Sequence, residues 1–516
     1  MKEGPIGFSI VLKACIFATG LAGIVAEYIM ATLASYFLGN TVLHWTLTVS
    51  LMLFAMGVGS RISKNIRLPL LESFVIIEFI LSILCALSAS LVYLLSAYIQ
   101  SIWPVIYIIS IGIGILIGLE IPIATRLNDY FEELRINISS LMEKDYYGAL
   151  LGGLLFAFVA LPYLGLSYTP IALGTINFII AMALFGYNFN SLKYKKSLTF
   201  LSIVILTGLL FLFFIAEPIV FYGEQSKYVD KVIYSEQTPY QRIVLTQWKD
   251  NYWLYLDGNE QFSSFDEERY HEPLVHPAMS LSVSHRKVLI LGGGDGLAAR
   301  EVLKYPDVKN IVLVDIDPAI TRLGRTNRIL TKLNDNALND NRTCIKNQDA
   351  YKFLLDDDSI FDVIIIDFPD PKTVGLARLY TRQFYKLVIR HLTPGGVMVT
   401  QATSPFFSKQ AFLSILKTMR SIGIPAIAYH NHIPTMGEWG WALGINAPGL
   451  KHSALKKRLS VMSFENVSTR FINQEAMQSM LNFGKGTLDK LYKVEVNDNL
   501  NMYIYNYYKK GSWDMY

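Results

Sequence analysis

The stretch FDVIIIDFPDP, residues 361–371, decides the fold of the second half of this chain. Its run of apolar and β-branched residues is typical of a strand that is buried on both faces of a sheet. Two aspartates, Asp367 and Asp370, follow the run, and the neighbouring prolines prevent any regular continuation of the strand. The strand therefore brings two negative charges to one edge of a sheet.

Further strand-like runs flank this stretch and alternate with helical segments. They are KVLILGGGDG from Lys287, NIVLVDID from Asn310, TCIKNQDA from Thr343 and GGVMVTQ from Gly395. Strands that alternate with helices predict a parallel sheet with helices on both faces. Ligands of such sheets bind beyond the carboxyl ends of the strands, so the residues at those ends are candidates for a site.

Acidic residues follow these predicted strands, in the order Asp295, Asp315 with Asp317, Asp349, and Asp367 with Asp370. A glycine-rich turn such as GGGDG is a weak sign of a nucleotide site by itself, because plain tight connections also contain it. Acids at several strand ends are a stronger sign, since together they create a cleft that attracts ammonium groups.

The glycine-rich turn favours a nucleoside without phosphates. Asp315 lies about 20 residues beyond the glycines, where an acid usually hydrogen-bonds to ribose hydroxyls. Asp295 occupies a place where a pyrophosphate would need backbone amides and no negative charge. S-adenosylmethionine and its relatives, which join a nucleoside to a cationic arm, fit this arrangement.

The two aspartates of the opening stretch suit chemistry on an amine. An amine must lose its proton before it attacks carbon, and a carboxylate beside it can accept that proton. Crowding by other acids raises the pKa of a carboxylate toward the useful range. Asp367 and Asp370 are therefore a candidate base and a candidate binding group for a polyvalent amine. The alternative is that they only shape a turn, as Asp-Pro pairs often do.

The second half of the chain divides further. From Tyr228 the hydrophobic period changes to two, and a KDN turn separates two such runs, which predicts a small antiparallel β unit over residues 226–285. Residues 286–450 form the predicted Rossmann-like domain. Residues 451–516 are an extension of unknown role, with helical stretches and an aromatic strand predicted at YIYNYY, residues 503–508.

The first half of the chain reads as a helical membrane domain, residues 1–225. The whole chain of 516 residues is 52% hydrophobic and only 17% charged, and the apolar excess lies before about Val220. We predict about seven spans of a multi-pass protein of the cell membrane. They cover roughly residues 8–38, 42–60, 69–98, 102–124, 147–165, 169–189 and 198–222. Small residues such as those of GALLGG, from Gly148, let the helices of such a bundle approach closely.

Three acids lie inside these spans: Glu27, Glu78 and Glu120. Ionisable groups at membrane depth are costly and often mark a pathway, so a transport or small-cation role is one interpretation. The other is that the acids lie near span ends or pair with Lys13 or a backbone group.

Basic residues predict an orientation that conflicts with the chemistry. They follow the second, fourth and sixth spans: Arg61, Lys64, Arg67, Arg126, Arg135, Lys144, Lys193, Lys195 and Lys196. The positive-inside rule makes those loops cytoplasmic, and seven spans then put the second half outside, away from a cytosolic cosubstrate. Either the span count is off by one, or the large second half overrides the rule.

Other classes of function are not favoured. Cys15, Cys85 and Cys344 are scattered, so they offer neither a disulfide framework nor a metal cluster. The net charge of +4 is mild and the basic residues form no long stripe, which argues against a nucleic-acid partner.

The region from Tyr228 to Leu443 resembles the spermidine synthases, which transfer an aminopropyl group from decarboxylated S-adenosylmethionine to putrescine. The resemblance rests on an ordered series: PYQRI, LDGNEQ, DEERYHEPLVHP, LILGGGDG, DID, QDA, IIIDFPDP, LYTRQFY and IPTMGEWGW. The first half, with FAMGVGS and GLEIPI, looks like the multi-pass bacterial branch of the same family. The resemblance implies a domain of the class I methyltransferase type, a homo-oligomer, and neither a cofactor nor a metal, because decarboxylated S-adenosylmethionine is a cosubstrate.

The resemblance also implies roles for individual residues. The implied nucleoside-binding residues are Gln241, Gly292, Gly294, Asp315, Asp349 and Ala350. The implied binding residues for the amine and the aminopropyl group are Tyr270, His271, Asp295 and Asp370. Asp367 would be the catalytic proton acceptor. The GEWGW segment would be a loop that closes the amine site.

The chain departs from the family pattern beside the second substrate. Phe368 and Pro369 replace a small polar pair, and Val374 replaces a proline. The predicted cleft is more apolar, so the identity of the amine stays open. Two other functions also stay open: an S-adenosylmethionine-dependent methyltransferase, and a membrane polyamine sensor or transporter with a non-catalytic nucleoside-binding domain.

Overall fold

The computed structural model describes residues 5–38, 41–66, 69–99, 101–129, 131–187, 189 and 192–513. Arg67, one of the basic residues considered above, lies outside these residues. The chain forms two compact units, Met1–Val232 and Ile233–Tyr516. We name them the helical unit and the sheet unit.

The helical unit consists of long helices. They are α1 (Pro5–Leu38), α2 (Thr41–Ser63), α3 (Leu70–Ser96), α4 (Trp103–Asn128), α5 (Leu134–Leu155), α6 (Gly165–Tyr187) and α7 (Lys195–Gln225). A π-helical segment, Phe156–Leu164, joins α5 to α6. Among the described residues, six helical runs are long and apolar enough to cross a membrane. One of them, Leu134–Tyr187, is 54 residues long and covers the predicted span 147–165 and most of the predicted span 169–189.

Glycine lets the helices of this unit touch through their backbones. A Cβ atom on Gly148 of α5 would lie 1.9 Å from the carbonyl oxygen of Phe17 in α1. A Cβ atom on Gly59 of α2 would lie 2.1 Å from the carbonyl oxygen of Ile115 in α4. No larger residue fits at either place, so the prediction that small residues mediate close helix contact is confirmed at Gly148.

The sheet unit begins with a small antiparallel sheet, as the period-two pattern predicts. Its four strands lie in chain order. They are β1 (Lys231–Gln237), β2 (Arg242–Trp248), β3 (Asn251–Leu256) and β4 (Asn259–Ser263). Helix α8 (Glu268–Leu281) follows and packs on the larger sheet.

The larger sheet has seven strands in the order β10-β11-β9-β8-β5-β6-β7. The strands are β5 (Lys287–Gly292), β6 (Asn310–Asp315), β7 (Thr343–Asn347), β8 (Phe361–Asp367), β9 (Leu392–Gln401), β10 (Ala426–Ile433) and β11 (Gly437–Ile445). Strands β5 to β9 are mutually parallel, while β11 runs antiparallel to β9 and β10 antiparallel to β11. The sheet is therefore mixed rather than purely parallel.

Helices cover both faces of this sheet and extend beyond it. They are α9 (Leu297–Leu303), α10 (Pro318–Thr326), α11 (Arg328–Leu333), α12 (Ala350–Asp356), α13 (Val374–Ala377), α14 (Arg382–Arg390), α15 (Lys409–Arg420), α16 (His452–Ser460), α17 (Gln474–Met480) and α18 (Tyr503–Lys509). The strand order and the single antiparallel insertion define a Rossmann-like fold of the class I methyltransferase type.

Two local predictions are wrong. The segment YIYNYY lies in α18, not in a strand, because it can bury Ile504 completely on one helical face. The segment GEWGW begins β11 rather than forming a loop, and it pairs with β10 at Asn431↔Trp439.

Candidate active site

The centre of the site is the junction of β5 and β8. Gly292, the last residue of β5, is in register with Asp367, the last residue of β8. A Cβ atom on Gly292 would lie 2.1 Å from the carbonyl oxygen of Asp367, and its φ of 85° suits glycine. The glycine-rich turn thus lies directly against the end of the opening stretch.

Asp367 accepts a hydrogen bond of 2.6 Å from the hydroxyl of Tyr270. Burial raises the pKa of Asp367 to about 6, and the charge of Asp295 adds to this, while His271 and Tyr270 oppose it. Burial and the nearby Asp367 raise the pKa of Tyr270, so its hydroxyl keeps the proton that it donates. Asp367 is therefore mostly a carboxylate at neutral pH, and its pKa is close enough to neutral for it to act as a general base.

His271 follows Tyr270 on α8 and is almost fully buried, with 2% of its surface exposed. Its Nδ1 lies 3.1 Å from a carboxylate oxygen of Glu267. Burial alone would lower the pKa of His271, but Glu267, with smaller contributions from Asp295 and Asp367, raises it. His271 is thus held as a positive or readily protonated group between several acids.

Glu267 anchors this arrangement from below. Arg300 donates a hydrogen bond of 2.8 Å to it, and Arg470 donates another. Burial would raise the pKa of Glu267, but His271 and Arg300 outweigh burial and hold the pKa well below its usual range. Glu267 is therefore a permanent carboxylate that fixes the orientation of His271.

Asp295 lies in the turn between β5 and α9. Its Oδ1 accepts a hydrogen bond of 2.8 Å from the backbone of Leu297, in the first turn of α9. The side chain is buried, and its charge acts on both His271 and Asp367. The structure therefore brings the predicted residues Tyr270, His271, Asp295 and Asp367 together.

Asp315 lies at the end of β6, beside the same glycine-rich turn. Its two oxygens accept hydrogen bonds from the backbone N–H groups of Gly294, at 3.0 Å, and Asp317, at 2.9 Å. Burial raises the pKa of Asp315 to about 7, partly offset by these hydrogen bonds. A Cβ atom on Gly294 would lie 2.7 Å from a carboxylate oxygen of Asp315, so this close approach requires glycine.

Gln241 reaches this corner through Asp317. Its amide nitrogen donates to Asp317 at 2.9 Å, and the hydroxyl of Thr238 donates to the same carboxylate oxygen at 2.9 Å. Asp317 is fully buried and also caps the start of α10 by accepting from Ala319. The segment before β2 is thus tied to the turn that carries Asp315.

Asp349 and Ala350 lie beyond β7, further along the sheet. Asp349 caps α12 by accepting a hydrogen bond of 2.8 Å from the backbone of Lys352, and Ala350 is buried in the first turn of α12. Residue Asn347 at the end of β7 is in register with Asp315. The predicted nucleoside-binding residues therefore follow neighbouring strand ends, at increasing distance from Asp367.

Asp370 is buried, with 6% of its surface exposed. It accepts hydrogen bonds from Gln401 at 3.2 Å and Thr403 at 3.3 Å, and from the hydroxyl of Tyr508. Burial raises the pKa of Asp370, while Lys372 and these donors lower it. The three hydrogen-bond donors are uncharged, so they hold the carboxylate of Asp370 without cancelling its charge, and Lys372 is the nearby cation that acts on it.

Several of these residues were missed by sequence reasoning. They are Glu267, Arg300, Gln401, Thr403, Arg470 and Tyr508. No local pattern marks them, because they act on the predicted residues across long sequence separations. The extension after residue 450, which had no predicted role, supplies two of them, Arg470 and Tyr508.

A trio of possible metal ligands lies beside this network. Ligand atoms of Glu272, His276 and Glu301 are all within 4.8 Å of one another. Protein groups already occupy them: Glu301 pairs with His276 and with Lys304, and Glu272 accepts backbone hydrogen bonds from residues 470–472. Within the described part of the chain, this trio is an ion-pair network rather than an open coordination site.

A sheet of this type, with a glycine-rich turn and buried acids at its strand ends, fits a transferase that uses a nucleoside sulfonium donor. Residues 267–454 match the family model of the Spermine/spermidine synthase domain. The chain is 42% identical to polyamine aminopropyltransferase 2 of Aquifex aeolicus (strain VF5), with 97% of this chain and 99% of that protein covered. It is 37% identical to the polyamine aminopropyltransferase of Oceanobacillus iheyensis, with 96% of each covered.

The chain therefore belongs to the polyamine aminopropyltransferase family. It is an enzyme that transfers an aminopropyl group, and decarboxylated S-adenosylmethionine is its cosubstrate rather than a cofactor. Among solved structures, a spermidine synthase in complex with the transition state analogue AdoDATO covers 51% of this chain at 26% identity, with a TM-score of 0.46. The spermidine synthase of Thermotoga maritima gives 27% identity and a TM-score of 0.45.

Proposed function

We propose that this enzyme transfers the aminopropyl group of decarboxylated S-adenosylmethionine to putrescine, and that Asp367 is its catalytic base. The hydrogen bond between Tyr270 and Asp367, beside the turn that carries Asp295, is the observation that supports this assignment most directly. A carboxylate with a pKa of about 6 can accept a proton from an ammonium group that is being deprotonated for attack.

The reaction is a direct displacement in this proposal. The nitrogen of putrescine attacks the aminopropyl carbon next to the sulfonium and forms a C–N bond. The C–S bond breaks, its electron pair goes to sulfur, and methylthioadenosine leaves as a neutral molecule. The proton lost by nitrogen passes to Asp367, and the new bond makes spermidine. Much of the rate comes from alignment of the two substrates.

The binding roles follow the position of each side chain. Asp295 holds the ammonium of the aminopropyl group, and Tyr270 and His271 line the path of the amine. Asp370 holds the far ammonium of putrescine, and the side chains that donate to it, Gln401, Thr403 and Tyr508, are neutral. The proposed nucleoside contacts are Gln241, Gly292, Gly294, Asp315, Asp349 and Ala350.

A product assay on the full chain in detergent tests this proposal. Decarboxylated S-adenosylmethionine is mixed with putrescine, cadaverine, 1,3-diaminopropane, agmatine or spermidine, and methylthioadenosine and the polyamine product are measured. We expect putrescine to be the best acceptor and Asp367→Asn to lower kcat/KM about a thousandfold. A different preferred amine would overturn the assignment of putrescine as the acceptor. Binding of the nucleoside without turnover of any amine would favour a sensor or transporter.

We propose further that the helical unit crosses the cell membrane. Large apolar side chains are exposed on its surface, among them Phe54, Phe158, Phe200 and Phe214, each at least 70% exposed. Such a surface is unfavourable in water and suits lipid. The proposed membrane domain is residues 1–225, followed by the β unit 226–285, the catalytic domain 286–450 and the extension 451–516. Resistance of the chain to extraction by alkaline carbonate, and its release by detergent, would support this; release by carbonate alone would contradict it.

The two ends of the helical unit differ in charge. Arg126 at the end of α4 donates to the carbonyl oxygen of Ser63 at the end of α2, and the backbone of Lys193 donates to Glu72 at the start of α3. The basic residues near these positions therefore share one end of the unit. The end of α7 lies at the opposite end. A Cβ atom on Gly223 would lie 2.4 Å from the carbonyl oxygen of Tyr93, which is near the end of α3, whereas the start of α3 lies at the basic end.

The positive-inside rule and the supply of cosubstrate therefore predict opposite sides for the second half of the chain. We propose the cytosolic side, where the cosubstrate is made. Cys344 offers a test, because it is exposed while Cys15 and Cys85 are buried. A membrane-impermeant thiol reagent should label Cys344 in lysed cells but not in intact cells, and Cys344→Ser should remain unlabelled in both. Labelling in intact cells would place the enzyme outside.

The same proposal includes self-association, by family resemblance. Light scattering of the detergent-solubilised chain should give more than one copy per particle. A monomer at micromolar concentration would contradict it.

A further inference from the structure

The helical unit contains buried polar groups that lack partners. Both carboxylate oxygens of Glu78, one of Glu120 and both amide atoms of Asn177 are buried without a hydrogen-bond partner among the described residues. The exposed fractions of these side chains are 0%, 2% and 0%. Burying an unpaired carboxylate is costly, and proteins normally pair such a group or give it a cation.

Glu120 lies beside a third acid. The hydroxyl of Thr19, on α1, donates to the carbonyl oxygen of Ile16 and lies close enough to Glu120 to act on its carboxylate. The next residue, Gly20, faces α5, since a Cβ atom on it would lie 2.8 Å from a carboxylate oxygen of Asp145. Thr19, Glu120 and Asp145 therefore meet at one level of the unit.

Glu78 lies at the same level. Its charge interacts with that of Glu120, and both acids act on the thiol of Cys85, about two turns further along the same face of α3. A Cβ atom on Gly112 of α4 would lie 3.3 Å from Leu84 of α3, so these two helices are in contact. Because α3 and α4 are consecutive and antiparallel, moving back along α3 from Leu84 and forward along α4 from Gly112 reaches Glu78 and Glu120 together.

Asn177 faces this level from α6. Phe178 stacks on Phe79 with ring centroids 5.9 Å apart, and the hydroxyl of Ser82 donates to the carbonyl oxygen of Gly174 at 2.6 Å. Asn177 lies between these two contacts and therefore on the face of α6 that packs against α3. Its unpartnered amide is an observation independent of the acids, and it adds a neutral oxygen to them.

The set supplies oxygen ligands and no positive charge. No described lysine, arginine or histidine interacts with Glu78, Glu120 or Asp145. Carboxylate, amide and hydroxyl oxygens are the ligands of hard cations and of ammonium groups. These residues lie on five helices and at one level, which is the arrangement of a site rather than of a solvated surface.

We propose that Thr19, Glu78, Glu120, Asp145 and Asn177 form a binding site for a monovalent cation inside the helical unit, either an ammonium group or an alkali-metal ion. We name these residues the acid cluster. The site is separate from the transfer chemistry of the sheet unit and does not depend on the proposed function.

The test uses the full chain purified in detergent, with its thermal midpoint as the readout. The probes are ammonium, methylammonium, sodium and potassium chlorides, with ionic strength held constant by N-methyl-D-glucamine chloride. We expect a saturable rise in the midpoint with at least one probe, and the probe that gives it separates an ammonium site from an alkali-metal site. Glu78→Gln should weaken the apparent affinity at least tenfold.

Two further variants keep the test decisive. Glu27→Gln removes a buried acid outside the acid cluster, on α1 and eight residues from Thr19 in the sequence, and should respond as the wild type does. Asn177→Leu replaces the unpartnered amide with an apolar group of similar size and should also weaken the response. It serves as the test variant if Glu78→Gln does not fold. The proposal is overturned if the wild type shows no saturable response to any probe, or if both cluster variants respond as the wild type does. Either result would mean that the acids are simply protonated.

Discussion

The two units of this protein both bury carboxylates, but they treat them differently. In the sheet unit, Glu272 accepts three backbone hydrogen bonds, Glu267 binds two arginines and a histidine, and Asp317 accepts from three donors. In the helical unit, Glu78 has no hydrogen-bond partner among the described residues. Buried acids of the first kind are held by the fold itself, whereas an acid of the second kind indicates a proton or ligand from outside the chain.

The largest expected effect is at Asp367, the acid of the sheet unit that is proposed to accept the proton. Asp367→Asn removes the proposed proton acceptor, so kcat/KM should fall about a thousandfold, within the range of general-base contributions. Steady-state production of methylthioadenosine measures this. Asp362→Asn, at the other end of the same strand, is the matched control and should change kcat/KM less than about threefold. Equal losses in both variants would contradict the assignment.

The second effect concerns an acid that only supports the site. Glu267→Ala leaves His271 buried without its carboxylate and Arg300 paired with Glu301 alone, so the free energy of unfolding of the sheet unit should fall by about 3 kcal/mol. Urea unfolding followed by near-ultraviolet circular dichroism checks this. Glu268→Ala, at a neighbouring and more exposed acid, should cost less than about 1 kcal/mol. A small effect at Glu267 would mean that the network is not needed for stability.

The third effect is the pH dependence of kcat/KM, which should follow the protonation of Asp367. Burial raises the pKa of Asp367 to about 6, and only its deprotonated form accepts a proton. The value of kcat/KM should therefore be level above that pKa and fall about tenfold per pH unit below it. Rate measurements between pH 4.5 and pH 8 test this. A rate that rises as the pH falls would contradict it.

The fourth effect tests the contribution of the extension. Tyr508→Phe removes a hydrogen bond to the buried carboxylate of Asp370, which should raise the KM for putrescine about tenfold and leave the KM for the nucleoside unchanged. Tyr507→Phe is the control, since the hydroxyl of Tyr507 accepts from the backbone of Glu495 instead. Equal KM values for wild type and Tyr508→Phe would exclude a role in acceptor binding.

The smallest effect is expected in the helical unit. Glutamine has nearly the same shape as glutamate, and Glu78 has no hydrogen-bond partner among the described residues, so Glu78→Gln should change the stability by less than about 0.5 kcal/mol without added cation. Glu72→Gln is the contrasting variant on the same helix, because Glu72 accepts a hydrogen bond of 2.9 Å from the backbone of Lys193, and it should cost about 1 kcal/mol. Thermal unfolding in N-methyl-D-glucamine chloride compares them. A large loss in Glu78→Gln would show that Glu78 has a structural partner.

The sequence predicts the parts of the site that follow directly from strands. Asp295, Asp315, Asp349 and Asp367 come at strand ends because apolar runs mark buried strands and parallel strands share one edge. The roles of individual residues remain predictions, although the structure brings Tyr270 and Asp367 into contact.

The supporting residues could not be predicted in the same way. Arg470 and Tyr508 reach their partners from a distant segment, and no period or motif encodes such contacts. The error at YIYNYY has the same origin, since aromatic residues are enriched in strands, whereas here the burial of Ile504 selects a helix. The reversed direction of β11, which lies between β9 and β10, is likewise set by tertiary packing.

The hydrogen bond between Tyr508 and Asp370 sets an order of events in biosynthesis. A ribosome that has just passed β8 has already made all the residues proposed to touch the nucleoside. The pocket proposed for the acceptor is incomplete until α18 has emerged and packed on α15. A chain clipped before Tyr508 would therefore lack one of the hydrogen bonds that hold the Asp370 carboxylate, while every residue proposed to touch the nucleoside would still be present.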